Sequence, residues 1–591
     1  MKKIITSIVL LGALSTLSAQ DPVKIWDKCY GGTGDDVANA ITKTTDGGFI
    51  IAGAAKSSNG DVTGHIGTTS YSNWWIVKID SVSNIQWQKS IGSSGAQNDI
   101  ASAVQQVSDG GYIVGGRGSL SFAKLDNTGN VEWQKSTNPI YAVLETTDGS
   151  YLAVGAMNYD SRFYIVKYDV TGNVLWEKNY GASSQGGTYK TIAYSVKQTP
   201  DGGYILAGSA GANGGDITGN HSSSNDYWIV KLDANGNLEW QKCLGSTSKD
   251  IAYSIATTND GGYIVAGEVN LGDGDVVGFN GPQTIADAWI VKLDNTGSIE
   301  WQKIIGTSAY AERAYSISQT ADGGYIVGVE MPDNGAVNAR VIKLDANGNN
   351  EGYYIMPYVR VHSALGNFIP VIETGTDEYV VAGSTNSSSF YSISGYHSGG
   401  GTYDYYVLKL KKILPPAAPT NLVATFVKAP DAVVLSWTDN SDNEDGFRVQ
   451  RSTNGGASFM NIATLGVNVT SYSDNSVVEG TEYWYRVLSY NAAGSAVSSV
   501  VQITAAVVGI SENTMGMFHV FPNPASEMVT IFNIPQDTSV EICDLTGKTV
   551  FSSMVSEDSV QIDVSTAVNG VYFVKVSHNG TVSTEKLVIQ K

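Results

Sequence analysis

The residues best suited to chemistry lie in short glycine-bounded loops. Gly60-Asp61-Val62-Thr63-Gly64 returns as Gly215-Asp216-Ile217-Thr218-Gly219, and with an added acid as Asp273-Gly274-Asp275-Val276. Carboxylates at Asp61, Asp216, Asp273 and Asp275, with neighbouring carbonyls, offer the hard oxygen donors that calcium takes. Their spacing is not that of an EF-hand loop, and the same acids can instead accept hydrogen bonds from backbone N–H groups of their own turns. His65, His221 and His397 occupy related loop positions, each shortly after a Thr-Gly or Ser-Gly pair. Zinc would require side chains from separate repeats to meet within bonding distance, whereas turn bonds need only local neighbours. Turn hydrogen bonding is therefore the expected role of the four acids, with calcium at Asp61, Asp216, Asp273 and Asp275 as the alternative, and no cofactor is expected.

Elsewhere the chain is poor in catalytic signatures. Its six histidines form no HExxH motif, and there is no G-x-S-x-G nucleophile elbow, phosphate-binding loop or dinucleotide fingerprint. Two opposed acids brought from distant repeats could still hydrolyse a glycosidic bond, so an enzyme is not excluded. The formal charge of -20 argues against nucleic acid as a partner. Three cysteines, Cys29, Cys243 and Cys543, are too few for a disulfide scaffold.

The elements that must carry these loops are announced by repetition. Asp260-Gly261-Gly262-Tyr263-Ile264-Val265-Ala266-Gly267 has counterparts beginning at Asp46, Asp109, Asp148, Asp201 and Asp322, with a degenerate seventh at Asp377. Each phrase is a turn feeding a strand: Asp accepts turn bonds, and the glycines take backbone angles or close approaches that other residues resist. The fifth unit reads as strands at Ala252–Thr257, Tyr263–Ala266, Ala288–Leu293 and Ser298–Gln302. The third run is apolar on both faces around Lys292, as in a sheet covered on both sides. Asp-x-x-Gly turns such as Asp294–Gly297 join third strand to fourth, and Asp80–Asn84 departs from that pattern, so its turn should be strained or built differently.

Trp26, Trp87, Trp133, Trp176, Trp240 and Trp301 mark six copies of the fourth strand, with Tyr353-Tyr354 as a weak seventh. The last unit ends on Asp404–Lys412 with no following tryptophan strand, while Trp26 precedes the first Asp-Gly-Gly phrase. The simplest accounting is an all-β chain whose residues 21–414 form a seven-bladed β-propeller closed by the Trp26 strand, a closure that protects sheet edges. Six or eight blades and a parallel solenoid are the alternatives. Long connections between second and third strands in units one, four, five and seven should decorate one face. Trp75, Trp228, Trp289 and Tyr406 read as core, and Trp74 and Tyr227 as candidates for the other side of the strand or its loop, where a ligand site would need them exposed.

Residues 1–20, with Lys2 and Lys3 before an apolar run, read as an export signal, and no later stretch has the length of a membrane helix, so no transmembrane anchor is expected. The repeats resemble those of exported multidomain proteins of the Bacteroidetes type. After the Pro- and Ala-rich linker, "VVLSWTDN", "GFRVQRS" and "YWYRVLSYNAAGSA" resemble a fibronectin type III domain over 417–506. That resemblance implies a two-sheet core from Trp437, Phe447, Val449, Tyr483, Tyr485 and Val487, with Tyr483 as the tyrosine corner. Beyond a connector at 507–515, Pro522, Asn523 and Pro524, then Gly547, Gly570 with Tyr572, and Lys586 follow in order the motifs of the type A sorting domain of the type IX secretion system. The resemblance covers 516–591. It implies a second β-sandwich, the type IX machinery as partner, and delivery to the outer surface or medium. The expectation is an exported, noncatalytic binding or adhesion protein for a glycan, matrix component or surface protein. A secreted propeller hydrolase or lyase of polysaccharides and a structural surface component are the alternatives.

Overall fold

The computed structural model describes residues 22–157, 162–182, 190–279, 282, 285–307, 309–332, 338–356, 359–360, 369–386, 393–397, 402–428, 430–506 and 518–591. The expected export signal, the connector at 507–515 and His362 lie outside them. Two compact units are present, one reaching to Pro415 with Ala492–Gly494, the other Pro416–Asn491 with Ser495–Lys591.

The first unit is a seven-bladed β-propeller. Six blades are antiparallel four-stranded sheets in simple sequence order. The seventh combines Val371–Gly375, Glu378–Thr385 and Asp404–Lys411 with Val23–Tyr30 from the other end of the unit. Trp26 pairs with Lys409 and Cys29 with Tyr406, so the expected closure is present. The short strand Val359–Arg360 also pairs with Glu378–Thr385.

The Asp-Gly-Gly phrase is explained atom by atom in the fifth blade, whose strands are Ile251–Thr257, Tyr263–Val269, Asp287–Leu293 and Ile299–Ile305. The second and fourth run further than the sequence suggests, because pairing carries polar and glycine positions along with the apolar ones. Asp260 accepts bonds from Thr258 Oγ1 and the Gly262 N–H, at 2.5 and 3.0 Å. Gly261 sits at φ +86°, and a Cβ on Gly262 would stand 2.2 Å from the Leu293 carbonyl oxygen. The same Asp260 receives Lys292 Nζ at 2.9 Å, while Glu300 receives it at 2.7 Å. Lys292 is 2% exposed. Its ammonium, buried at a cost that only paired carboxylates offset, ties three strands to one turn. The same lysine-to-turn-aspartate pair recurs as Lys78–Asp46, Lys124–Asp109, Lys167–Asp148, Lys231–Asp201 and Lys343–Asp322.

Apolar residues of adjacent blades form the cores: Tyr227, Ile229, Trp289 and Val291 pack together across the fourth and fifth blades. Trp74 and Tyr227 do lie on the other face of the third strand from Trp75 and Trp228, but both are fully buried, so neither can serve the exposed ligand site they were candidates for. Both faces of the third strand are covered, and Tyr227 donates its hydroxyl to the Trp289 carbonyl at 3.0 Å. The Asp80 turn has the usual bond pattern, but Ser83 adopts φ 74° where the other turns place glycine. Gly352, rather than Tyr353, pairs with Lys343 where Trp301 pairs with Lys292, so the sixth blade has no aromatic at that register.

In the second unit, Thr420–Val427, Ala432–Thr438 and Ser471–Asp474 form one sheet, and Met460–Leu465, Gly446–Ser452, Glu482–Asn491, Gly494–Val497 and Val501–Thr504 the other. Trp437, Phe447, Val449, Tyr485 and Val487 fill the space between them. The Tyr483 hydroxyl accepts the Val478 N–H at 2.9 Å, the geometry of a tyrosine corner. A further sandwich follows, with His519–Phe521, Met528–Phe532 and Ser559–Asp563 facing Thr538–Asp544, Thr549–Val555, Gly570–His578 and Thr581–Ile589.

Candidate functional site

The first strand of each blade lies next to the first strand of the following one, and serines bridge them: Ser195 Oγ accepts the Ile255 N–H, and Ser254 Oγ the Ile317 N–H, both at 3.2 Å. Six of these inner strands carry a bulge near their start. The skipped residues are Asn39, Ser102, Tyr141, Tyr194, Tyr253 and Tyr315. A bulge re-aims one side chain without ending the strand. Here it builds an arc of four tyrosines. Centroid separations are 5.3 Å for Tyr141–Tyr194, 5.4 Å for Tyr194–Tyr253 and 4.8 Å for Tyr253–Tyr315. Arg117 lies over the Tyr141 ring at 5.9 Å. Tyr141, Tyr194 and Tyr253 are half-buried and Tyr315 is buried.

An ionic network backs the arc. Glu268, 1% exposed, receives Lys249 Nζ at 2.6 Å on one oxygen and Arg313 Nε at 2.6 Å on the other. Arg313 Nη1 reaches on to Glu330 at 3.2 Å, and the Tyr253 and Tyr315 hydroxyls donate to Glu268 and Glu330 at 3.2 and 3.3 Å. Burial alone would raise the Glu268 carboxyl, but Lys249 and Arg313 bring it below its usual value. Glu330 is raised, because burial outweighs Arg313. Burial also holds the Tyr253 and Tyr315 phenols well above their ordinary range, so both remain donors. Sequence reading missed this site. Its signal was Ala-Tyr-Ser at 193–195, 252–254 and 314–316, an aromatic breaking a run of small residues.

The loop acids lie at the same end of the blades, on seams between them. Asp61, Asp216 and Asp275 accept the N–H groups of Gly31, Gly181 and Gly245 at 3.2, 3.0 and 3.2 Å, and Asp273 accepts the Thr247 N–H and hydroxyl at 2.7 and 2.6 Å. His221 bridges Asp226 at 2.7 Å and Asp275 at 3.3 Å, and His397 bridges Asp404 at 3.2 Å and Asp61 at 3.5 Å. Among the described residues no group of three or more His, Cys, Asp or Glu is arranged to hold a metal ion. His65 joins neither bridge: both its ring nitrogens are buried without a hydrogen-bond partner. Beneath the seams lie buried acids. Asp36 and Asp250 are 0% exposed, and burial raises each to about 7. A groove of about 340 Å³ opens nearby, lined by Thr33, Asp35, Lys56, Ser57, Thr69 and Thr402 among others.

At the other end of the chain the four sequence motifs converge. Asn523 donates to the Lys586 carbonyl at 2.6 Å and accepts the Val588 N–H at 2.8 Å, clasping the last strand between Pro522 and Pro524. Tyr572 pairs with Leu587 on one side and Asp544 on the other, and its hydroxyl reaches the Val568 carbonyl at 2.9 Å. Asp544 opens the turn that Gly547 completes at φ +84°, and Gly570 pairs with Ile589. Residues 519–590 match the model of the secretion system C-terminal sorting domain. This match supports delivery of the chain to the cell exterior. No helix of the described residues is long and apolar enough to cross a membrane.

Among curated proteins, an amylopullulanase of Thermoanaerobacterium saccharolyticum is 28% identical over 134 residues, 21% of this chain and 10% of that protein. An amylopullulanase of Thermoanaerobacterium thermosulfurigenes is 24% identical over 343 residues, 56% of this chain and 16% of that protein. The chain thus spans only a small part of the length of these relatives. Of solved structures, PorZ, described as a surface component of the type-IX secretion system of Porphyromonas gingivalis, is 11% identical with TM-score 0.24, over 94% of this chain and 81% of that one. A Fn3-like protein from Clostridium thermocellum is 30% identical with TM-score 0.14, over 15% of this chain and 90% of that one.

Proposed function

We propose that this chain is exported, carried across the outer membrane by type IX secretion machinery through residues 516–591, and acts at the cell surface or in the medium as a noncatalytic binding or adhesion protein. In this reading residues 21–414 are the binding platform, 417–506 a fibronectin type III spacer and 507–515 a linker. The observation that carries it is the sorting-domain match over 519–590, together with the Asn523 clasp that gathers the motif residues on one sandwich. The bulged tyrosine arc supports a binding role, since three of its four rings are partly open to solvent at one end of the blades.

Localisation of the full chain beside a truncation ending at Ile510 tests the address. The truncated protein should be exported but retained inside the outer membrane, and Asn523→Ala should reduce surface delivery in the same direction. Equal delivery without residues 516–591 would remove the sorting role.

A second reading, a polysaccharide hydrolase, draws on Glu268 and Glu330, whose environments push their pKa values in opposite directions across Arg313. Product release from a polysaccharide that disappears in Glu330→Gln would favour it over the binding role.

A further inference from the structure

Building on the surface-binding reading above, we propose that the tyrosine arc is the recognition site for a neutral polysaccharide, with Tyr141, Tyr194 and Tyr253 as its stacking surface. Three observations converge on this ligand class. Sugar rings present C–H faces that pack on aromatic rings, and the half-buried rings at 141, 194 and 253 follow one another at 5.3 and 5.4 Å, tilted by 65° and 59°, in a stepped row. The row is bordered by hydrogen-bond donors that are still partly open to solvent, the Lys249 ammonium and the Arg313 guanidinium, both held in place by the buried Glu268 carboxylate. The charges beside Tyr253 cancel, Lys249 and Arg313 against Glu268 and Glu330, and Arg117 over the Tyr141 ring adds a single cation at the other end, too little to hold a charged polymer.

The row has a direction as well. Asn39 and Ser102 hold the same bulge positions in the first two blades, where Asn39 Nδ2 is spent on the Ala101 carbonyl at 2.8 Å. Among the described residues the stacking surface therefore covers the third to fifth blades. A polymer segment laid along it meets rings on one side of the axis and small polar groups on the other.

The test uses the full mature chain and soluble amylose, laminarin, xylan and mannan as probes, with polygalacturonate as the charged control, read by titration calorimetry. At least one neutral polymer should bind, and Tyr194→Leu, which keeps bulk but removes the ring face, should weaken it about tenfold or more. Thr33→Ala, in the separate groove, should leave the affinity unchanged. Melting temperature monitors folding. If Tyr194→Leu unfolds, Tyr141→Leu at the end of the row gives the same readout. Unchanged affinity in both variants, binding of polygalacturonate alone, or no binding of any neutral polymer by folded wild-type protein each overturns the proposal. Surface delivery is scored separately on the same variants. Tyrosine variants displayed normally but unaltered in glycan binding defeat the site alone, whereas wild-type protein that never reaches the surface defeats the broader reading.

Discussion

A Cβ placed on Gly297 would stand 2.9 Å from the indole of Trp240. The fourth-strand tryptophan of one blade thus covers the third-to-fourth turn of the next, and the same contact joins Trp87 to Gly129, Trp133 to Gly172, Trp176 to Gly236 and Trp301 to Gly348. The exception at Gly352 follows from ring closure. The seventh blade takes its fourth strand from the start of the chain, so it has no such turn for a sixth-blade tryptophan to cover.

Gly297→Ala should therefore lower stability by about 2 kcal/mol or more, since it adds a left-handed alanine to a clash with Trp240. Ser83→Gly should act in the opposite direction, raising stability by about 1 kcal/mol as its φ 74° strain is relieved. Thermal unfolding of the two variants checks both signs, and destabilisation by Ser83→Gly would contradict the strain argument.

Asp260→Ala removes one of two carboxylates from a buried ammonium and is expected to cost about 1–3 kcal/mol. Lys292→Met keeps the stem in place and removes the charge that needs those partners, so it should cost less than Asp260→Ala. Chemical denaturation of both variants decides the order.

Cys29 reports on ring closure. Its thiol is 0% exposed on the strand that pairs with Asp404–Lys411, and burial raises its pKa, so alkylation should be slow. Removing residues 22–27 strips most of that pairing and should speed modification of Cys29 by about tenfold or more, because reaction follows the population of open ring. Peptide mass spectrometry follows the site, and an unchanged rate would show that this strand does not hold the ring.

Propeller stability should be highest in mildly acidic solution. Asp36 and Asp250 have folded-state values raised to about 7 by burial, so their contribution is present below the unfolded value of about 4 and is lost as pH rises through about 7. For His221, burial disfavours the charged ring, but Asp226 and Asp275 raise it overall, so its contribution too is lost on raising the pH. Asp46, Asp201, Asp260 and Asp322 act oppositely: bonds from Lys and Thr overcome burial and lower each to about 2, so their contribution is lost as pH falls towards that value. The melting temperature should peak near pH 5, fall towards pH 8, and respond less to that rise in an Asp36→Asn, Asp250→Asn double variant.

What the sequence determined by itself was whatever depends on neighbours along the chain. Asp260, Gly261 and Gly262 specify a turn through local bonds and backbone angles, and the apolar run around Lys292 specifies a strand covered on both sides. Repetition of those local units, with one tryptophan strand displaced to the start, was enough to count blades and anticipate the pairing of Trp26 with the last one. The order of Pro522-Asn523-Pro524, Gly547, Gly570, Tyr572 and Lys586 likewise pointed to a sorting sandwich. Only the tertiary structure decided what meets across strands and from blade to blade. The lysine-to-turn pair spans 32 residues between Lys292 and Asp260, and His397 reaches Asp61 only because the ring closes. Tyr141, Tyr194, Tyr253 and Tyr315 became an arc because a one-residue bulge re-aimed each of them, a rotation that strand periodicity does not encode.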